Sequence, residues 1–175
     1  MDAYDCIRTK LDLHDFDSNR KIPAEAKFKI LESARLTGSA MNSQHWRFIL
    51  VQTRERLKTL ADDSTTGKWV ESANIAVIVL TEEKHGFQLI DAGRVTQDMQ
   101  LAAWNLGIAS RIFTGVNQTA IRRDFAIPQN LVATVVIGFG YPTKKITGTS
   151  KNRKPLAELA FIESYGKPFE KEQLT

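Results

Sequence analysis

Between a helix-patterned stretch and a strand-patterned one stands Ser39-Ala40-Met41-Asn42-Ser43-Gln44-His45-Trp46. This connection carries two hydroxyls, two amides and a tryptophan, with Gly38 in front. Polar side chains and free backbone N–H groups between two core elements are what a ligand site on a rigid scaffold needs. The same residues also fit a helix stop and an ordinary loop, with Trp46 filling the core. A second chemical group lies late in the chain, where Lys144, Lys145, Lys151, Arg153 and Lys154 concentrate the positive charge. Such a segment can meet nucleic acid, a membrane surface or a bound phosphate.

Several common chemistries lack support. Neither G-x-G-x-x-G nor G-x-x-x-x-G-K-[ST] occurs, so the sequence supports neither the dinucleotide fold nor the phosphate-binding loop. No G-x-S-x-G is present, and Cys6 near a helix start has no evident base. His14, His45 and His85 are far apart and lack metal-ligand spacing, so only the fold could gather them.

The elements that must position these groups are legible from periodicity. Residues 2–10 pattern as a short helix, 11–16 as an extended piece, and Asp17-Ser18-Asn19 as a turn. After Pro23, Phe28, Leu31, Ala34 and Arg35 recur at helical spacing beside Ile30, and Gly38 is placed to end that helix in a left-handed conformation. Phe48–Val51 is a strand, and Thr53 caps a helix that turns Leu57, Leu60 and Ala61 inward. Ile75–Leu80 is a continuous apolar run, the mark of a strand buried on both faces. Phe87–Leu106 is the longest helical pattern, with Ile90, Ala92, Val95, Met99, Ala102, Ala103 and Leu106 inward and Gly107 closing it. Ile108–Phe113 is a further strand, Asn117 caps a helix through Phe125, and Val132–Phe139 is the last buried strand. Helices on both sides of a sheet in irregular order predict an α+β fold with a mixed sheet rather than a doubly wound parallel one.

The chain has 175 residues, 42% of them hydrophobic and 25% charged, enough for one domain over residues 1–175 with a real core. A single cysteine and a charged start without an apolar h-region predict a soluble, cytoplasmic protein. The longest apolar run is far shorter than the roughly 18 residues of a membrane span, so no membrane partner is expected. The net charge of +4 comes with acidic residues spread through the chain, so no nucleic-acid partner is expected either.

Three segments resemble one family together. They are Arg8-Thr9-Lys10-Leu11-Asp12-Leu13-His14-Asp15-Phe16, the Ser39–Trp46 loop ahead of its strand, and Lys151-Asn152-Arg153-Lys154-Pro155-Leu156. In order and spacing they are similar to the nitroreductase family of FMN-dependent oxidoreductases. Asp91–Ile108 resembles that family's long central helix, and Ile137–Pro142 its following strand. The resemblance runs from about residue 5 to residue 157. It implies a three-layer α/β/α fold with a mixed, mainly antiparallel sheet. It also implies a homodimer with two FMN molecules at the interface and an exchanged C-terminal arm, about 144–175. Lys10, Lys151 and Arg153 would hold the phosphate, with Arg8 a further contact or a surface residue. Asp12 would lie near the ribityl chain. His14 would lie at the pyrimidine end of the ring, and Ser39, Ala40 and Asn42 would reach it from the other subunit. Thr114 and Gly115 would also approach the ring.

The resemblance further implies NAD(P)H as reductant and a nitroaromatic, quinone or similar small aromatic acceptor, by a ping-pong hydride transfer. No side chain would be catalytic in its own right, since the chemistry would be the flavin's. The other reading is a slow or non-catalytic flavin-binding, redox-sensing protein of the same fold. Three departures from the family's pattern bear on this. His14 replaces an arginine or lysine, exchanging a permanent cation for an imidazole. Gly38 and His45 replace prolines, which loosens the loop backbone.

Overall fold

The computed structural model describes residues 1–146 and 150–168, so part of the expected 144–175 arm lies outside the described residues. Helix α1 spans Ala3–Thr9 and α2 Ala24–Leu36; strand β1 is Arg47–Val51 and helix α3 Arg54–Asp62. Strand β2 is Ile75–Glu82, helix α4 Gln88–Asn105, strand β3 Ala109–Phe113, helix α5 Gln118–Asp124 and strand β4 Leu131–Gly140. Short 3₁₀ turns occupy Ala40–Asn42, Lys68–Ser72 and Leu156–Glu158.

Among the described residues the four strands form one sheet in the order β1-β2-β4-β3, every neighbouring pair antiparallel. A single parallel bridge, Asp12 to Ser110, adds the 11–16 segment to the β3 edge. The sheet is therefore mainly antiparallel, and its mixed character rests on that one bridge. The α+β architecture expected from the sequence is the one observed.

Side-chain alternation along β2 builds both faces. Ala76, Ile78 and Leu80 pack with Leu57, Leu60, Ala61, Val70, Ile121 and Phe125. Ile75, Val77 and Val79 pack with Ile30, Ala34, Val95, Met99 and Ala103. Each fully buried valine or isoleucine contributes about 1.5–3 kcal/mol, so neither face is stable without its helices. The result is three layers, with α3 and α5 on one side and α2 and α4 on the other. A register shift between Val79 and Leu80 skips Thr134. Ala133 therefore faces the first cluster although Val135 and Ile137 face the second.

The ends of the helices follow from particular residues. The Thr53 hydroxyl accepts the Arg56 N–H, and Asn117 Oδ1 accepts those of Thr119 and Ala120. Gly107 has φ 73°, which suits the glycine that closes α4. Gly38, by contrast, is not left-handed. Helix α2 ends on Thr37 in an extended conformation, and the Thr37 hydroxyl donates to Asp98 at 2.6 Å, so α2 is tied to α4 instead of being capped by glycine. A Cβ on Gly38 would stand 2.7 Å from the Arg94 guanidinium. Two apolar positions expected to face inward do not. Phe28 is 65% exposed and Ile90 61%, because the buried stripes run through Ala26, Ile30 and Ala34 on α2 and Ala92, Val95 and Met99 on α4.

Asp63, at the end of α3, has a buried Oδ2 without a hydrogen-bond partner. Burial first, then the charge of Asp124, pushes the Asp63 carboxyl above its usual range. A folded-state value above the unfolded one means that the folded chain holds this proton more tightly. The associated stability is present at acidic pH and lost as pH rises through the raised value. Asp63→Asn should therefore raise the melting temperature at pH 7, and the gap to the parent should close on acidification toward pH 4. Thermal unfolding of both proteins across that range measures it.

Candidate active site

The N-terminal segment and the basic arm meet beside α1. The Lys151 ammonium donates to the carbonyl of Ile7, close to the C-terminal end of α1. Lys10 is almost fully buried, and its ammonium pairs with Asp12 Oδ1 at 2.5 Å. Asp12 Oδ1 also accepts from Gln100 Nε2 at 3.3 Å, and the same amide donates to Ser110 Oγ at 3.1 Å. Burial, then the charges of Arg153 and Lys10, hold the Lys151 ammonium below the ordinary lysine range. Three cations thus crowd one place with a single carboxylate, Asp12, acting against them. Lys10 is buried, Lys151 partly buried and Arg153 exposed, and a surplus of positive charge of this kind is what a phosphate dianion neutralises.

Two adjoining concavities mark this region. One, of about 580 Å³, is lined by Tyr4, Ile7, Arg8, Ser150, Lys151 and Arg153. The other, of about 430 Å³, is lined by Leu11, Asp12, Leu13, His14, Asp15, Arg111 and the turn from Pro142 to Ile146. Asp12, paired with Lys10, lines the second. Arg8 stands at the rim, its guanidinium on Asp5 at 2.9 Å, which is the placement of a surface helix residue.

His14 has company that sequence reasoning missed. Arg111, from the edge strand β3, brings its Nη1 to His14 Nδ1 at 2.7 Å. Guanidinium only donates, so Nδ1 is the acceptor and any ring proton is on Nε2. The permanent cation at this end of the cleft is thus Arg111 and not residue 14. A charged side chain inside the otherwise strand-like run 108–113 was the available signal. Trp69 meets His14 edge-on, with ring centroids 6.0 Å apart, and Phe113 at 5.6 Å, although neither Trp69 nor Phe113 lines the two concavities. Trp69 can lie there because residue 138 is glycine: a Cβ would come within 2.5 Å of the indole.

Thr114 and Gly115 line neither concavity. The Gly115 carbonyl accepts the Thr65 N–H, and the glycine packs on the Thr65 and Thr66 hydroxyls. Ser39, Ala40 and Asn42 also lie away from the cationic cluster within one chain. Their loop is held at the start of α4, where Asp91 Oδ2 accepts the Ala40 N–H at 3.1 Å. The Ser39 hydroxyl accepts the Gln44 N–H at 2.9 Å. Met41, Asn42 and Gln44 all take positive φ, between 47° and 53°, an uncommon conformation for residues other than glycine. Strain in this loop therefore sits at these three positions and not at Gly38. Trp46 is buried among the α2 and α4 side chains, as its packing role predicts.

The fold also gathers two of the three scattered histidines. His45 and His85 stack with centroids 3.9 Å apart, beside the buried Asp91.

The family model described as the nitroreductase family matches residues 13–82 and 67–141, which is most of the chain. A protein of Methanothermobacter thermautotrophicus, provisionally named NADH dehydrogenase/NAD(P)H nitroreductase, is 33% identical over 153 residues, covering 82% of this chain and 79% of its own. A solved nitroreductase family protein of Clostridium difficile superposes with TM-score 0.83 at 26% identity, over 94% of this chain and 99% of its own. An FMN-dependent nitroreductase of Clostridium difficile R20291 shares the fold at TM-score 0.76 and 22% identity, over 84% of this chain and 90% of its own. The chain belongs to the nitroreductase family, a family of oxidoreductases.

Proposed function

We propose that the protein is an FMN-dependent oxidoreductase that takes electrons from NAD(P)H and gives them to a nitroaromatic, quinone or similar aromatic acceptor. The observation that carries this reading is the meeting of Lys10, Lys151 and Arg153 beside the cleft that Asp12, His14 and Arg111 line. The cleft has the size of a small-molecule site. Lys10, Lys151 and Arg153 would hold the phosphate, Arg153 being able to do so through two parallel N–H donors. Asp12, anchored by Gln100 and Lys10, would accept from the ribityl hydroxyls. His14 and Arg111 would stand at the pyrimidine end of the ring. FMN held by these residues would supply the hydride-accepting and electron-donating chemistry of a ping-pong sequence. What the protein adds is orientation, exclusion of water and a fixed cation.

The unit of function in this reading is a homodimer of single-domain chains in the cytoplasm. Tyr4, Ile7, Phe28, Leu36, Met41, Leu89, Ile90, Leu156 and Leu159 are exposed large apolar residues on α1, α2, the 39–46 loop, the start of α4 and the arm. So much unpaired apolar surface supports association. A second copy would bring its own Ser39, Ala40 and Asn42 to the ring, and arms of the two copies would exchange. No helix among the described residues is long and apolar enough to cross a membrane.

Two outcomes are expected. Charge-assisted hydrogen bonds contribute about 1.5–3 kcal/mol each, so Lys151→Ala and Arg153→Ala should each weaken FMN binding about ten- to a hundredfold. Riboflavin, which lacks the phosphate, should bind both variants as it binds the parent. Calorimetric titration with the two flavins checks this, and unchanged FMN affinity would contradict the assignment. Second, Arg111→Gln should lower the flavin midpoint potential at pH 7, because a permanent cation favours a reduced, anionic ring. His14→Arg should change the pH dependence of that potential little, since Arg111 already supplies the charge. Spectroelectrochemical titration of the three proteins between pH 6 and 8 reads both effects.

A further inference from the structure

His45, His85 and Asp91 come from three places in the chain: the loop before β1, the turn after β2 and the first turn of α4. One ligand-competent atom from each lies within 4.8 Å of the other two. His45 and Asp91 are almost wholly buried, with side chains 2% and 1% exposed. Their polar atoms are not satisfied: His45 Nδ1 and Asp91 Oδ1 lack hydrogen-bond partners.

The nitrogen that faces Asp91 is Nε2, so an ion held between Nε2 and Asp91 Oδ2 would leave Nδ1 as it stands, and no protonation state of His45 satisfies Nδ1 either. With the proton on Nε2 facing Asp91, Nδ1 is a buried lone pair without a donor. With the proton on Nδ1, that N–H is bare and Nε2 turns a lone pair toward a carboxylate oxygen. With both protonated, the bare Nδ1–H remains and an imidazolium stacks against His85. The separation is equally telling. Nε2 and Asp91 Oδ2 are 3.3 Å apart, longer than the about 2.7–2.9 Å of a charge-assisted hydrogen bond. It is close to the roughly 3.4 Å edge between two ligands of a tetrahedral zinc ion with bonds of about 2.0–2.1 Å.

We propose that His45, His85 and Asp91 form a binding site for a divalent first-row metal ion of the zinc type. Two imidazoles and one carboxylate are a donor set for such an ion, with a fourth position left for water. Binding requires one adjustment. A metal lies in the plane of each imidazole, and the two rings are stacked with planes 18° apart, so His85 must turn out of the stack. That ring is half-exposed, held otherwise by a 3.3 Å contact from the Phe87 N–H to Nδ1 and by the exposed Phe87 ring 6.4 Å away, so it can turn. Arg94, half-exposed and 3.6 Å from Asp91 Oδ1, can swing away as the ion's charge replaces its own. The ion would then pin the 39–46 loop to the start of α4, stiffening a segment that lacks proline. This site is independent of whether the cleft takes FMN.

The test uses tag-free, full-length protein stripped with a chelator and then dialysed. Cobalt(II) is added and its ligand-field absorption followed. The expected result is saturation at one Co²⁺ per chain, displacement by Zn²⁺, and at least about tenfold weaker binding in His85→Ala. Proton spectra of the parent with Zn²⁺ should shift the His45 and His85 ring signals and leave those of His14 in place. This second readout stands even if a variant folds poorly. No ligand-field band in the parent, equal affinity in His85→Ala, or a shift confined to His14 would overturn the proposal.

Discussion

Ile75, Val77 and Val79 point to one face of β2 and Ala76, Ile78 and Leu80 to the other, and both faces exclude water. A strand covered twice requires helices on both sides, and the sheet then has little room for polar groups except at its ends and edges. The candidate chemistry sits there. The 11–16 segment lies along the β3 edge, Arg111 projects from that edge, and the 39–46 loop enters β1 at the far side of the sheet. Helix α4 bridges the two regions. Its Gln100 braces Asp12 at one end, and its Asp91 holds the loop at the other.

The cationic cluster and the Asp91 cluster are opposite solutions to the same difficulty, charge brought out of water. At Lys10, Lys151 and Arg153 the positive charges outnumber the one nearby carboxylate, and Lys151 is held below its ordinary range as a result. Lys10 is buried and Lys151 partly so, while Arg153 stays exposed, and an anion between them would relieve their mutual repulsion. At Asp91 a nearly fully buried carboxylate gathers the Ala40 N–H, the His45 ring and, more distantly, Arg94. There the anion comes first, and the remaining deficit is a cation.

Much of this fold was legible because apolar periodicity reports burial directly. The β2 run, the α4 stripe, and the Thr53 and Asn117 caps all needed only local residues to be recognised. The failures came where a tertiary neighbour decided. Gly38 looked like a left-handed cap, but Thr37 ends the helix by bonding Asp98 on another helix. Phe28 and Ile90 looked inward because hydrophobicity alone cannot separate a core stripe from surface left for a partner. For the site, motif resemblance pointed to Lys10, Asp12, His14, Lys151 and Arg153; Asp12 and His14 line one concavity, Lys151 and Arg153 the other, and Lys10 pairs with Asp12. Thr114 and Gly115 do not join them. Arg111 showed only as a charge inside a strand-like run, because its meaning depends on His14, 97 residues away. The His45–His85 pairing was invisible because two strands and a helix separate the residues in sequence, and only the antiparallel β1–β2 return brings them together.

The central claim is that the cleft between α1, β3 and the basic arm is one half of an FMN site completed by a second chain. Native mass spectrometry of protein purified without added flavin, with an absorbance spectrum of the same sample, tests it most directly. The account predicts a yellow dimer of about twice the 19.7 kDa chain mass, carrying one FMN per chain. A colourless protein that stays monomeric and takes up no FMN when it is supplied would contradict it.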